Sequence, residues 1–189
     1  MKSHHRQASR AELADIRGIF AVMDQNLLAK KEVLDTTLLE QTGFLIHGFT
    51  REEARAAILD RENFVFVVAK ENENVVGYAT GSDIKTLKPV FQEKLASISE
   101  EVQTAISTGR VFYYRHIAKK KGAVGIGKDL APILMEYIRA AGYSHMVCQI
   151  AHDPIRNQAS ILFHERQGFR CVGTAPDGER RFGVYLKIL

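Results

Sequence analysis

The chain has no tryptophan, two cysteines and four prolines in 189 residues. No apolar run approaches the roughly 20 residues that a membrane-spanning helix needs. Two cysteines, Cys148 and Cys171, are too few for a disulfide framework, and both lie among apolar neighbours, so a reduced, cytoplasmic setting is expected. The start, Met1-Lys2-Ser3-His4-His5-Arg6, lacks the apolar segment of a secretory leader. Internal repeats, low-complexity stretches and linkers are also missing, which leaves one domain over 1–189. No long run of one charge sign occurs. The 26 basic residues exceed the 22 acidic ones by only four, giving a formal net charge of +4 and a pI near 9.1, and no nucleic-acid motif accompanies them, so nucleic acid is disfavoured as the main partner.

What is present alternates between helical and strand patterns. Ser9-x-x-Glu12 reads as a capping box opening a helix over about Arg10 to Leu28, with Leu13, Ile16, Phe20 and Met23 at helical spacing, and His5 to Ala8 is a candidate edge strand before it. Lys30 to His47 has a helical middle at Val33 to Leu39, then a loop, Gly43 to Phe49, whose exposed apolar residues want a partner. Thr50-x-x-Glu53 caps a helix through about Asp60. Phe64 to Ala69 and Val75 to Thr80 form a hairpin around Glu71 to Asn74. Residues 85–108 predict a helical insert in two pieces, Pro89 to Ala96 and Ser99 to Ser107. Val111 to Ala118 is a strand, the helix after it ends at Gly142, and Met146 to Ala151 is a strand parallel to the first, because a crossover helix joins them. A helix over Gln158 to Gln167 and two strands, Phe169 to Gly173 and Arg181 to Ile188, complete an α/β chain with a mixed sheet.

The stretch with chemical content is Lys119-Lys120-Lys121-Gly122-Ala123-Val124-Gly125-Ile126-Gly127-Lys128, between a strand and a helix. Its glycines bare the backbone and its four lysines add positive charge, a pattern suited to a phosphate at a helix N-terminus. Gly122-x-x-x-x-Gly127-Lys128 satisfies most of a nucleotide-binding P-loop, but Asp129 stands where a magnesium-binding hydroxyl belongs, and its acid repels a triphosphate. A dinucleotide fingerprint needs Gly-x-Gly-x-x-Gly, and the spacing here is reversed. A tight strand-to-helix turn without any ligand is the remaining competitor. His145, Cys148 and His152 suggest zinc, yet His145 and Cys148 alternate across a strand, so no metal site is expected.

The second stretch is Asn157-Gln158-Ala159-Ser160-Ile161-Leu162-Phe163-His164-Glu165-Arg166-Gln167-Gly168-Phe169. With the loop it resembles the GNAT superfamily of acyl-CoA-dependent N-acetyltransferases, over about Val111 to Phe169. Gly122 takes the Gln/Arg place of the family loop, Gly125 and Gly127 its two glycine places, and Phe163 to Phe169 the family's helix end. The resemblance implies a mostly antiparallel sheet of six to seven strands, a splayed central parallel pair and helices on both faces.

It also implies acetyl-CoA as co-substrate, an amine acceptor, and these site residues. Backbone from Gly122, Ala123, Val124, Gly125, Ile126, Gly127 and Lys128 would hold the pyrophosphate. Ile117 and Ala118 would pair with the pantetheine arm, with the Ile117 N–H on the thioester carbonyl. Asn157 and Phe163 would line the arm, and His164 would return a proton to the departing thiolate, as a histidine with pKa about 6.5 can do. No carboxylate lies between Gly109 and Lys121, so the base is open, with His116 first and His152, Asp153, Tyr113 and Tyr114 nearby. Gly43 to Phe49 and the 85–108 insert would build the acceptor site, and the insert is also a candidate homodimer contact. The expected function is transfer of an acetyl or short acyl group from acyl-CoA to a primary amine by direct attack in a ternary complex. The competing class is a non-catalytic acyl-CoA-binding module.

Overall fold

The structure, a computed structural model, describes residues 6–30 and 35–189. Its elements run β1 (Arg6–Arg10), α1 (Ile16–Asn26), α2 (Thr36–Thr42), α3 (Arg51–Leu59), β2 (Phe64–Glu71), β3 (Asn74–Asp83), α4 (Pro89–Ala96), α5 (Glu100–Thr108), β4 (Val111–Lys119), α6 (Ile126–Ala140), β5 (His145–Asp153), α7 (Gln158–Arg166), β6 (Arg170–Asp177) and β7 (Arg180–Ile188). Short 3₁₀ turns follow β1, α1 and β3. The strands form one sheet of seven in the order β1-β2-β3-β4-β5-β7-β6. β1 with β2, β5 with β7 and β6 with β7 are antiparallel, and β4 with β5 is parallel. The mixed, mostly antiparallel α/β sheet expected from the sequence is therefore present. Among the described residues no helix is long and apolar enough to cross a membrane.

Two compact units can be distinguished. One comprises the described part of Met1–Glu32 with Phe44–Gly81 and His116–Ile138. Its core packs Ile19, Val22 and Met23 of α1 and Ala54 and Ile58 of α3 on Phe66, Val68, Tyr78 and Ala118 of the strands. Phe49 sits at the centre, edge-on to Phe20, Phe66 and Tyr78 at 5.6–5.9 Å. This corrects the expectation of exposed apolar residues in 43–49: Phe44 is 6% and Phe49 8% exposed, and Leu45 is tied to α1 through Leu45 N–H to Asn26 O at 2.8 Å.

The other unit comprises the described part of Val33–Gly43 with Ser82–Arg115 and Arg139–Leu189. Here Leu95, Val102 and Ala105 of α4 and α5 pack on Val111, Val147, Ala175, Val184 and Leu186. The two insert helices fall where the sequence placed them. Ser99 caps the second by accepting from the Val102 N–H at 3.3 Å.

Local chemistry explains the boundaries that moved. Ser9 does not cap a helix, because it lies in β1 opposite Val68, and the Ala11 N–H still bonds Phe66 O at 2.8 Å. The chain leaves the sheet only at Glu12, whose N–H donates to the Asp15 carboxylate at 2.9 Å. Thr50 and Glu53 do form the predicted capping box, at 3.1 and 2.7 Å. The helix expected at Val33 to Leu39 is α2, shifted to Thr36–Thr42 by the Asp35 cap; Val33 and Leu34, like His5 of the expected edge strand, lie outside the described residues. Cys171 is exposed rather than apolar-packed, whereas Cys148 is buried.

One close approach seats α6. A Cβ on Gly77 of β3 would lie 2.2 Å from Ile126 Cγ2 and 3.1 Å from Ala118 O. Ile126 is 1% exposed, so the first residue of α6 rests on strand backbone and only glycine leaves room for it. Gly77→Ala is expected to cost roughly 1–3 kcal/mol of stability, seen as a lower urea midpoint at unchanged slope. An unchanged midpoint would contradict this packing.

Candidate functional site

The glycine loop hangs from the end of β4 by bonds on both sides. Lys119 O accepts from Asn26 Nδ2 at 2.9 Å, the Lys120 N–H bonds Val76 O at 2.8 Å, and the Lys121 N–H bonds Gln25 Oε1 at 3.0 Å. Two cations then take successive carbonyls. Lys119 Nζ donates to Ala123 O at 2.8 Å and Arg6 Nη1 donates to Val124 O at 2.9 Å. In a planar trans peptide the N–H points opposite the C=O, so the N–H groups of Val124 and Gly125 are turned away from these cations. Ile126 and Gly127 open α6, where no helical carbonyl precedes them.

Among the described residues the N–H groups of Val124, Gly125, Ile126 and Gly127 meet no hydrogen-bond partner. Those of Ala123 and Lys128 do, bonding Lys120 O at 3.0 Å and Gly125 O at 2.9 Å. Two of the seven expected residues thus spend their N–H groups inside the loop. Gly125, at φ +78°, makes the turn from loop to helix without the strain a side chain would bring. Four adjacent unpaired donors at the positive end of a helix fit a pyrophosphate.

Arg6 also pairs with the Asp129 carboxylate at 2.9 Å. Sequence reasoning missed this contact, since 123 residues separate the partners and nothing in the loop pattern signals it. The structure also carries α6 unbroken through Pro132, from Ile126 to Ala140.

In the same unit His116 is 7% exposed. Its ring stacks on Phe49 at 5.4 Å and its Nδ1 lies 3.4 Å from the Tyr78 hydroxyl. Ala118 is buried in the core and Ile117 is half-buried.

The other unit gathers the α7 residues. Asn157 caps α7, its Oδ1 accepting from the Ser160 N–H at 3.2 Å, and is 7% exposed. Half-buried Phe163 lies edge-on to His164. His164 is 5% exposed, enclosed by the rings of Tyr114, Phe163 and Phe169, each at 5.2 Å. Its Nδ1 is 2.7 Å from Ser160 O. A carbonyl oxygen only accepts, so Nδ1 carries the proton and Nε2 holds the lone pair. Burial pushes the pKa of His164 down to about 4, the Ser160 carbonyl opposing it. At neutral pH the ring is therefore neutral, and the pKa of about 6.5 expected from the sequence does not survive its apolar enclosure.

Of the other base candidates, His152 and Asp153 are engaged elsewhere. His152 Nε2 lies 3.1 Å from the Tyr185 hydroxyl, with its pKa lowered by burial and by Arg156, and Asp153 pairs with Arg181 at 2.5 Å. Burial raises the pKa of both Tyr113 and Tyr114, keeping them phenols. The Tyr114 hydroxyl is buried without a partner among the described residues. Among those residues no group of three or more His, Cys, Asp or Glu side chains is placed to hold a metal. The β4–β5 ladder covers three pairs, Val111 with His145 through Tyr113 with Val147, although each strand has nine residues.

The neutrality of His164 sets a pH dependence. Its native pKa lies below the unfolded value of about 6.5. Its contribution is thus complete above about pH 6.5 and is lost as pH falls toward 4, to a limit of about 3 kcal/mol. His164→Gln should flatten the loss of urea stability between pH 7 and pH 4.5. Identical pH slopes for the two proteins would contradict the buried neutral ring.

Comparison with known proteins agrees with the fold and with the two sequence motifs. The sequence profile described as "Acetyltransferase (GNAT) family" matches residues 32–169. A phosphinothricin N-acetyltransferase of Streptomyces coelicolor is 30% identical over 145 residues, covering 74% of this chain and 73% of that protein. An N-acetyltransferase from Staphylococcus aureus Mu50 shares the fold with a TM-score of 0.63 at 19% identity, over 97% of this chain and 98% of the other. The structure of yncA from Salmonella typhimurium, solved with its cofactor acetyl-CoA, does so with a TM-score of 0.63 at 17% identity, over 97% and 94% of the two chains. With a matched segment spanning most of its length and carrying both the glycine loop and the α7 motif, the chain belongs to the GNAT family of acetyltransferases and is an acyltransferase whose co-substrate is acetyl-CoA.

Proposed function

We propose that this enzyme moves the acetyl group to a primary amine by direct transfer in a ternary complex. The observation that carries the proposal is the run of four unpaired N–H groups from Val124 to Gly127 at the start of α6. These donors hold the pyrophosphate, and Lys128 adds charge beside them. Lys119 acts within the loop, through Ala123 O. Gly122 leaves the approach open, since a Cβ there would meet nothing within 4 Å. Acetyl-CoA supplies an activated acyl thioester.

The Ile117 N–H serves the thioester carbonyl, Ala118 backbone continues that contact along β4, and Asn157 with Phe163 lines the pantetheine arm. His164 works as the neutral ring: it keeps one proton at Nδ1 against Ser160 O and moves another at Nε2, taking it from the amine and returning it to the thiol sulfur. His116, oriented by Tyr78 and Phe49, is the second proton acceptor. A reduced, cytoplasmic setting belongs to the same proposal, both cysteines being unpaired.

The name of the Streptomyces relative makes phosphinothricin the first acceptor to test, within a panel of primary amines. Thiol release from acetyl-CoA should depend on an added amine. His164→Phe should lower kcat by about 10²-fold or more, with KM for acetyl-CoA within about twofold. Release independent of amine, or full activity in His164→Phe, would contradict the proposal.

A further inference from the structure

We infer that Arg6, the first residue of β1, is a positioning residue for the phosphate end of the cofactor: it screens Asp129, which would otherwise compete with the pyrophosphate at the start of α6. The inference rests on reading the loop as the coenzyme A cradle. Asp129 lies in the first turn of α6, where the helix dipole favours an acid as it favours a phosphate. An unscreened carboxylate there would occupy that positive end and repel a second anion.

Arg6 Nη1 reaches two acceptors from one position, Asp129 Oδ2 and Val124 O, each at 2.9 Å. The same nitrogen is 3.7 Å from where a Cβ on Gly125 would stand, so the guanidinium lies against the turn of the loop. Its Nε is buried without a partner among the described residues. The backbone of Arg6 is fixed at the sheet edge opposite Glu71, and the guanidinium is held at its far end by the two loop contacts. The side chains of Arg6 and Asp129 are 26% and 37% exposed, and an ion pair this open adds little to folding stability. Its effect falls on the charge that an incoming anion meets. Holding Val124 O also fixes the direction of the Gly125 N–H, so the same contact that neutralises the acid aims a donor.

The test is a double-mutant cycle read by calorimetric titration with coenzyme A and by acetyl-CoA kinetics. Arg6→Ala should raise the Kd of coenzyme A and the KM of acetyl-CoA about tenfold while kcat stays within about twofold. Asp129→Asn should lower Kd by less than about twofold in the wild-type background but by about fivefold in the Arg6→Ala background, a coupling that a merely structural role for Arg6 would not produce. Arg6→Lys, which keeps the charge, should recover part of the affinity. If wild type binds coenzyme A and Arg6→Ala binds it equally well, or if Asp129→Asn acts by the same factor in both backgrounds, the inference is overturned and the cofactor reading stands. If wild type does not bind coenzyme A, both fall.

Discussion

A planar peptide cannot point its N–H and its C=O the same way, and the glycine loop exploits this. Lys119 and Arg6 capture two successive carbonyls, those of Ala123 and Val124, and thereby fix the outward direction of the next two N–H groups. The helix start adds two more that have no carbonyl to meet. Val124 and Gly125 are open to solvent, so water can meet these donors and an incoming anion can replace it. The seat beneath them is rigid for a separate reason. Ile126 packs onto β3 at a glycine, which locks the helix start against the sheet.

Much of the fold was legible because its signals are local. The Thr50–Glu53 box, the β2–β3 hairpin, both insert helices and the strand–loop–helix–strand crossover all follow from residues within a few positions of one another. Readings that depended on which of two local options the rest of the chain would favour came out differently. Ser9 and Glu12 have the spacing of a capping box, but five residues of pairing with β2 outweighed it and delayed the helix to the Glu12–Asp15 turn. The 43–49 loop looked exposed from composition, yet Phe49 is the hub of an aromatic cluster with Phe20, Phe66 and Tyr78.

At the site, the motif residues were readable and their electrostatics were not. Asp129 read as an obstacle to a phosphate because its partner, Arg6, lies at the other end of the chain. Ala123 and Lys128 read as donors, whereas each spends its N–H inside the loop. His164 read as an ordinary titrating histidine, and only its enclosure by Tyr114, Phe163 and Phe169 reveals a ring that is neutral through the physiological range. A neutral ring with Nδ1 committed to Ser160 cannot begin the reaction as a cation. It can lend one lone pair, which suits a residue that passes a proton on rather than one that stores it.

The central claim, that four specific backbone donors receive the pyrophosphate, is tested most directly by titrating ¹⁵N-labelled protein with coenzyme A and following amide shifts. The N–H signals of Val124, Gly125, Ile126 and Gly127 should move together and furthest downfield, with those of Ala123 and Lys128, already bonded within the loop, moving less. Saturable binding that leaves these four signals in place would contradict the claim.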